Sequence, residues 1–579
     1  MGRVIIAEKP SVAEAIAQSI DPKAKKTQTH WVCASGDNIT WAVGQLIGLS
    51  EPESYNPAWK TWAAKNLPII PPKYTWEPKD AAANQRLEEI RQVIADANPS
   101  SIVNACDAAR EGEYIFRLIW AHLQLEGKYP MERLWLTSMT PKGINKALSS
   151  IKPGDAYRNL ALAAAARSKA DWVVGLNGTR AATNALNPGG AKETWSVGRV
   201  QTPSLAIIFN HDEERKSFVS KPKPLTTVTV ATKSGKNMAL QSPTPLEAAA
   251  LINTALTVSS TVETVEVNPP PLFDLTTLQQ EMNRTHGWTA AKTLAVAQKL
   301  YDKEKVLTYP RSESTALPED YAPEVQKVLG QLKTQGVLPA NTPLQATSPN
   351  AAQVFDNSKV TDHFALIPTE TPLTSTDPDM NLLYAAVSKR LAANFCPPET
   401  VEVTTFTATL PDGTKLEGKQ SRTLDPGWKM LHGKSAQKPL KAPSSFPATC
   451  ADVTQDPYET QPPPPLQEAD LLEKMCPNDK PYKLGTAATR ANVIEGLKTK
   501  GYVNVNDDGS LEMSSKGNKL ISSLKKFKLE ALSSPQLTGE WEAKLQGIEA
   551  GTVSAPQFSS DVNTFARDIV AKLLPSMDR

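Results

Sequence analysis

Two stretches far apart in this chain share one order: an apolar strand, an acid at its carboxyl end, then a helix. The first is Val4-Ile5-Ile6-Ala7 followed by Glu8-Lys9-Pro10-Ser11. Its apolar run reads as a buried strand. Ser11 suits the N-cap of a helix carrying Val12, Ala15, Ile16 and Ile20 on one side. The second is Ile102-Val103-Asn104-Ala105-Cys106, then Asp107-Ala108-Ala109-Arg110-Glu111-Gly112-Glu113, then a helix bearing Ile115, Phe116, Leu118 and Ile119. Such units build a parallel α/β sheet, whose chemistry lies at the carboxyl ends of its strands. Glu8, Lys9, Asp107 and Glu111 all fall there. A hard cation such as Mg²⁺ takes oxygen ligands, typically a few carboxylates completed by water and substrate phosphate. Taken singly, Glu8-Lys9 reads as a surface ion pair, and Asp107 with Glu111 as carboxylates facing a helix dipole. Two acid-bearing strand ends in one domain favour a metal site of Glu8, Asp107 and Glu111, with Glu113 as a spare ligand.

A third stretch offers a nucleophile. Leu307-Thr308-Tyr309-Pro310-Arg311-Ser312-Glu313 follows a helical run over 289–303, with Thr289 as its cap and Leu294, Ala297, Leu300 and Tyr301 at helical spacing. Pro310 disfavours a continuing helix, so Tyr309 is expected in an extended turn with its hydroxyl outward. The planar fork of Arg311 matches a phosphate. A tyrosine beside a phosphate clamp can be a covalent nucleophile. Standing alone, a Tyr-Pro is more often a half-buried core tyrosine.

Composition narrows the class. With 579 residues, the chain holds several domains or one large multi-part body. Hydrophobic residues at 40% and charged residues at 21% mark a globular protein. The net charge is only +2, so any basic surface for a nucleic acid must be local. Five scattered cysteines without a C-x-x-C pair argue against a disulfide framework and a zinc ribbon. No H-E-x-x-H spacing, membrane-length apolar run or amino-terminal signal pattern is present. The expected compartment is the cytoplasm, in association with the nucleoid.

The stretch Phe273-Asp274-Leu275-Thr276-Thr277-Leu278-Gln279 through Tyr309-Pro310-Arg311 resembles the active-site segment of type IA DNA topoisomerases. Asn283-Arg284, Ala291-Lys292-Thr293-Leu294 and Ala297-Gln298-Lys299-Leu300-Tyr301 belong to the match. The two strand-acid units resemble the Toprim fold of these enzymes, of primases and of some nucleases. The usual D-x-D-x-E of that fold reads Asp107-Ala108-Ala109-Arg110-Glu111 here, so Ala109 removes one carboxylate. Trp195-Ser196-Val197-Gly198-Arg199-Val200-Gln201 is similar to the S-x-G-R-V-Q segment that lines the family's groove for single-stranded DNA. Gly198 would permit close backbone approach, Arg199 would meet phosphate or bridge domains, and Gln201 would donate to phosphate or base. Thr361-Asp362-His363-Phe364-Ala365-Leu366-Ile367-Pro368-Thr369 resembles D-x-H-x-A-I-x-P-T, with the acid shifted next to the histidine and Leu366 replacing isoleucine. Leu484-Gly485-Thr486-Ala487-Ala488-Thr489-Arg490 resembles G-T-x-A-T-R, and Pro535-Gln536-Leu537-Thr538-Gly539-Glu540-Trp541-Glu542 matches again. The absence of a zinc tail resembles the bacterial topoisomerase III branch.

The resemblance implies a multi-domain α/β and α+β chain, in which a Toprim (Rossmann-like) domain, helical domains and a β arch form a torus. Its parts are a Toprim domain over 1–152, a helical groove domain over 153–215 plus 466–579, a β arch over 216–272 plus 399–465, and an inserted helical domain over 273–398. It further implies catalysis by Tyr309, Arg311, Glu8, Lys9 and His363. Mg²⁺ would sit on Glu8, Asp107 and Glu111. Single-stranded DNA would lie on Thr179, Arg180, Ser196, Val197, Gly198, Arg199, Val200, Gln201, Arg311, Thr489 and Arg490. The implied activity is ATP-independent cleavage through a 5′-phosphotyrosyl bond, strand passage and resealing, with relaxation of negative supercoils and decatenation. The implied state is a monomer, with a helicase or single-strand-binding protein as partner and no membrane attachment. Two other readings stay open: a Toprim nuclease or primase, and a DNA-binding protein weakened in catalysis by Ala109. Between the acid units, the aromatics of Tyr55-Asn56-Pro57-Ala58-Trp59-Lys60-Thr61-Trp62 either stack on bases or pin a long loop to the sheet; Trp62 is read as a pin. Leu134 to Thr140 reads as the last strand of the first domain, and 411–465 shows little pattern beyond the linker Gln461-Pro462-Pro463-Pro464-Pro465.

Overall fold

The computed structural model describes residues 2–575, apart from 137, 138, 140, 188–192, 233–236, 243, 361, 362 and 478. Its first nine strands are β1 (Val4–Ala7), β2 (Lys25–Lys26), β3 (His30–Val32), β4 (Asn38–Trp41), β5 (Ile47–Leu49), β6 (Trp76–Pro78), β7 (Ile102–Ala105), β8 (Met131–Arg133) and β9 (Lys152–Pro153). Seven of them form one sheet in the order β2-β3-β4-β1-β7-β8-β9, while β5 and β6 pair separately. β4, β1, β7 and β8 run parallel. Every residue of β1 and β7 is buried, because helices cover both faces. Val4 and Ile6 pack with Phe116 on one face, and Ile5 and Ala7 with Ile16 on the other. Ala7 pairs with Ala105, so the strand ends that lead into Glu8 and Asp107 lie side by side.

Two expectations shift here. The first helix is Pro10–Ile20, with Lys9 rather than Ser11 at its N-cap. Pro10 begins it, where a missing N–H costs nothing. The strand expected over 134–140 lies earlier, at β8, and β9 pairs antiparallel beyond it. Thr137, Ser138 and Thr140 fall outside the described residues.

Helices Arg158–Leu186 and Gln201–Lys216 share one core with Glu468–Met475, Ala487–Thr499, Ser515–Lys526, Pro535–Glu549 and Ala555–Leu573. Six strands close a barrel: β10 (Pro222–Thr232), β11 (Asn237–Ser242), β12 (Ala255–Val267), β13 (Glu399–Thr409), β14 (Lys415–Asp425) and β15 (Ser445–Glu459). β14 and β15 fall in the stretch that looked patternless. Leu416 is the main apolar anchor of β14, since a small closed barrel asks each strand for few interior residues.

The chain between β12 and β13 forms a helical insertion with its own core of Phe273, Leu278, Leu300, Leu329, Leu383 and Phe395. It hangs from an antiparallel ladder that ends at Val267 and Glu399. The stem is braced. Trp428 Nε1 donates to the Val267 carbonyl at 2.9 Å, and Asn394 Nδ2 to the Pro270 carbonyl at 3.1 Å. Leu275, Ala290 and Leu294 of the insertion join the core of the helical body. Among the described residues, no helix is long and apolar enough to cross a membrane.

Candidate active site

Tyr309 is held by a short lacing of two segments. Thr289 caps helix Ala290–Asp302 by accepting from the Lys292 amide. Past that helix, Leu307 bridges to Pro368, and the Thr308 amide donates to the Ile367 carbonyl at 3.0 Å. The Thr308 hydroxyl donates to Ala365 O and accepts from Ile367 N, while Ser312 Oγ donates to His363 O at 3.2 Å. This lacing sets the Tyr309 and His363 rings 4.3 Å apart, with Tyr301 edge-on at 5.4 Å. The phenol is therefore packed, not displayed outward as the turn suggested. Lys9 Nζ lies 4.1 Å from its ring centroid, in cation–π range.

The insertion meets the first sheet at this point. Lys9 Nζ is 2.7 Å from Asp107 Oδ2 and 3.5 Å from Glu8 Oε1. His363 Nε2 is 3.2 Å from Asp107 Oδ2, and Ser11 and Tyr301 share a hydroxyl hydrogen bond of 3.2 Å. A cavity of about 290 Å³ opens between the two parts, lined by Lys9, Asp107, Tyr309 and His363 among others. Arg311 is exposed and lines an adjoining cleft with Lys9 and Tyr309.

Burial governs the charges. It raises the Glu8 carboxyl, and the neighbouring Asp107 charge adds to it, pushing Glu8 up to about 7. Asp107 is equally desolvated, but His363 and Lys9 prevail and hold it below the usual carboxylate range. Burial opposes the Lys9 charge, yet Asp107 and Glu8 keep the ammonium above its ordinary value. The Tyr309 phenol is raised by burial, with Lys9 and Arg311 pulling the other way.

Beneath the acids lies a network that sequence reasoning missed. Arg133, with no exposed side-chain surface, donates to the Cys106 and Asp107 carbonyls at 2.7 Å and to Asn104 Oδ1 at 3.0 Å. Glu113 is buried with Arg117 at 2.9 Å, Asn104 Nδ2 at 2.7 Å and Arg133 at 3.4 Å. It therefore braces the strand end and is no spare ligand. Gly112 is required here, because a Cβ would lie 2.2 Å from the Asp107 carbonyl oxygen.

Glu111 turns from the other acids to Arg167, 2.7 Å away. Among the described residues, no group of three His, Cys, Asp or Glu side chains is placed to hold a metal. Glu8 and Asp107 fit a divalent cation as a pair. Two crowded carboxylates, one held near 7, favour a cation between them, and Mg²⁺ commonly takes one or two carboxylates with water and phosphate. The Lys9 ammonium already meets part of that demand.

The groove candidates divide. Thr179 Oγ1 and Thr183 Oγ1 accept from the Val197 and Trp195 amides, lacing 195–197 to helix Arg158–Leu186. Ser196 and Gln201 are half-exposed; Gln201 Nε2 donates to Ser196 Oγ and its Oε1 accepts from Lys500. Gly198 and Val200 are half-buried, Val197 is buried, and Thr489 is exposed in a capping box with Thr486. Of the four arginines expected at phosphate, Arg311 is exposed and the other three bind partners within the protein. Arg199 forks onto Asp171 at 2.7 and 3.2 Å. Arg180 donates to Trp59 O and Thr61 O, pinning the 55–72 loop to the long helix rather than to the sheet. Arg490, 2% exposed, binds Thr276, Glu313 and the Leu484 and Gly485 carbonyls, tying the insertion to the helical body. Asp362 lies outside the described residues.

Residues 155–560 match the family model described as DNA topoisomerase, and residues 3–138 match the Toprim domain. A DNA topoisomerase 3 of Shouchella clausii is 33% identical, with 99% of this chain and 81% of that protein covered. A DNA topoisomerase 3 of Staphylococcus aureus strain USA300 is 31% identical, with 98% of this chain and 82% of that protein covered. The solved full-length topoisomerase I of Thermotoga maritima superposes with a TM-score of 0.70, covering 98% of this chain and 90% of that one at 20% identity. That likeness is one of fold.

Proposed function

This chain belongs to the type IA DNA topoisomerases, which cut and reseal one DNA strand without ATP, and on that premise we propose that Tyr309 is the residue that carries the cut strand. The observation behind this is the seating of the Tyr309 ring against Lys9 and His363, both of which touch Asp107. The Tyr309 oxygen attacks a backbone phosphorus, the P–O3′ bond breaks, and a 5′-phosphotyrosyl bond forms. The phenolic proton leaves to solvent, and the 3′ oxygen takes up a proton. Lys9, held as an ammonium, supports negative charge on the phenolate and phosphate. Before a cation binds, Glu8, pushed up to about 7, is the better carrier of the proton for the 3′ oxygen. His363 and Arg311 orient the phosphate. Resealing is the reverse, and the bond energy stays in the phosphotyrosine throughout.

The Toprim domain marks a family that generally binds Mg²⁺. Glu8 and Asp107 would hold it here, where it supplies charge neutralisation at the phosphate; Glu111 would join only after leaving Arg167. The division into Toprim, helical groove, barrel and inserted parts is the mechanical frame we assign, with the stem at Val267 and Glu399 as the hinge. Acting as a monomer in the nucleoid, with unpaired DNA supplied by a helicase or single-strand-binding protein, it would relax negative supercoils and unlink DNA. A nuclease or primase reading leaves Tyr309, Arg311 and His363 without a task, and the family match does not favour it.

The test is covalent trapping. A labelled single-stranded oligonucleotide is incubated with the protein and Mg²⁺, then run under denaturing conditions. A fragment joined to protein through its 5′ end, lost in Tyr309→Phe, is expected. Free fragments that persist in that variant would establish a nuclease instead.

A further inference from the structure

Away from Tyr309, the insertion leans on a second seam. Helix Glu468–Met475 of the helical body meets insertion helices Leu275–His286 and Ala290–Asp302 there. That body helix is anchored at both ends. Just before it the Leu511 amide donates to the Leu466 carbonyl, and at its last turn the Leu484 amide donates to the Met475 carbonyl, each at 2.7 Å. The prolines that precede it are tied down as well, with His211 Nε2 2.9 Å from the Pro464 carbonyl. Helix Glu468–Met475 therefore belongs to the body and stays behind when the insertion moves.

Across this seam each part caps a helix of the other. Glu468 Oε2 accepts from the amide of Ala290, the first residue of its insertion helix, at 2.7 Å. In return Asn283 Oδ1 of the insertion accepts from the amide of Ala469, the second residue of the body helix, at 3.0 Å. Such first-turn amides find no acceptor inside their own helix. The exposed pair of Arg284 with Glu473 at 2.7 Å adds little beside them.

Glu468 is 3% exposed and takes no part in the chemistry at Tyr309. A buried carboxylate abandoned by its partner is costly. Here the cost is avoided, because Lys498 of the body holds the other oxygen, Oε1, and also pairs with Glu495 at 2.7 Å. Release of the insertion exchanges one amide for water at Oε2 and leaves the ion pair whole. Beneath the caps, Leu275, Ala290 and Leu294 join the body core, a contact that attracts without fixing direction. The two caps supply the register.

We propose that the reciprocal caps of Glu468 and Asn283 are the latch of the strand gate, holding the insertion closed on the helical body in the register that cleavage needs. The proposal rests on the gate of the proposed function and assigns the seam that restrains it. Both are positioning residues.

The experiment measures the gate directly. Cys476 is changed to Ser, and spin labels are placed at Lys299→Cys of the insertion and Ser522→Cys of the body, both exposed positions. Pulsed electron spin resonance then gives the distances between the two parts in the full chain without DNA. Glu468→Ala leaves Lys498 with Glu495, and Asn283→Ala is the second, uncharged variant. Each should raise the population at long distance about fivefold, the factor for one lost cap. Asn283→Asp, which keeps an acceptor for Ala469, should stay near the wild type. Wild-type distances in both alanine variants, even with lowered melting temperatures, overturn the latch and leave the caps a purely structural role. Tyr309 adduct formation by the wild type separates the two readings. Adducts with unmoved distances reject the latch alone, whereas shifted distances without any adduct reject the strand-cutting reading and leave the latch standing.

Discussion

His363 Nε2 stands 3.2 Å from Asp107 Oδ2, so a side chain of the inserted module closes onto the strand end of the first sheet. The same carboxylate oxygen takes Lys9 at 2.7 Å. One acid thus orients two groups that flank the Tyr309 ring. Replacing His363 by Ala removes one flank and leaves the phenol and Lys9 in place. The expected outcome is about 100-fold slower formation of the Tyr309 adduct, within the range for a positioned histidine. Binding of the oligonucleotide should change far less. Quenched time courses of the covalent complex measure the first quantity, and anisotropy the second.

The strand end at Asp107 depends on a group that never meets DNA. Arg133 is fully buried and holds the Asn104, Cys106 and Asp107 carbonyls. Arg133→Met would leave Glu113 buried with Arg117 as its remaining cation and strip three carbonyls of a donor. A loss of about 3–5 kcal/mol in stability is expected for breaking one side of such a pair. Urea denaturation of the single variant and of Arg133→Met/Glu113→Gln measures it, and the double variant should recover part of the loss because no carboxylate is stranded.

The site was legible in the sequence where chemistry is carried by short runs. Val4–Ala7 with Glu8, Ile102–Ala105 with Asp107, and Thr289 capping the helix before Tyr309 are local signals, and the chain obeys them. What stayed hidden is pairing across the chain. Nothing in Arg133 distinguishes it from a surface arginine until β8 places it under Asp107. Arg180, Arg199 and Arg490 read as phosphate clamps because a guanidinium suits phosphate and buried carbonyls equally. β14 stayed hidden because Leu416 is its one apolar residue in the barrel core, and β15 because its inward residues Ala448 and Cys450 are small and Pro447 interrupts the run.

The proposed hinge gives a pH prediction. Glu399 is 1% exposed at the start of β13 and pairs with Lys429 at 2.6 Å and Lys434 at 2.5 Å. Burial alone would raise its carboxyl, but the two ammonium groups and the Thr423 hydroxyl hold it at about 2, below its ordinary 4.5. A carboxylate depressed in the folded state contributes stability that is complete above the unfolded value and lost as pH falls towards the folded one. The contribution is about 3 kcal/mol at neutral pH and fades between about pH 5 and pH 2. Melting curves of the wild type and Glu399→Gln should differ at pH 7 and converge as the pH is lowered through that window.

In the proposed mechanism, strand passage requires the insertion to leave the first sheet, whereas cleavage requires it to stay. The Ser11–Tyr301 hydroxyl contact of 3.2 Å lies on that boundary, on the wall of the cavity that holds Tyr309. Cysteines at both positions, joined by a short bis-maleimide, would hold the two parts together while Tyr309 remains beside Lys9. Four of the five native cysteines are buried, and Cys476 is partly exposed and is first changed to Ser. The joined protein should still form the 5′ adduct within about threefold of the unjoined one, because the contact adds no group that stabilises the transition state. Relaxation of a negatively supercoiled plasmid should fall to background, since no opening admits the second strand. Relaxation that survived complete cross-linking would show that the passage route does not run between the insertion and the first sheet, and would move the hinge away from Val267 and Glu399.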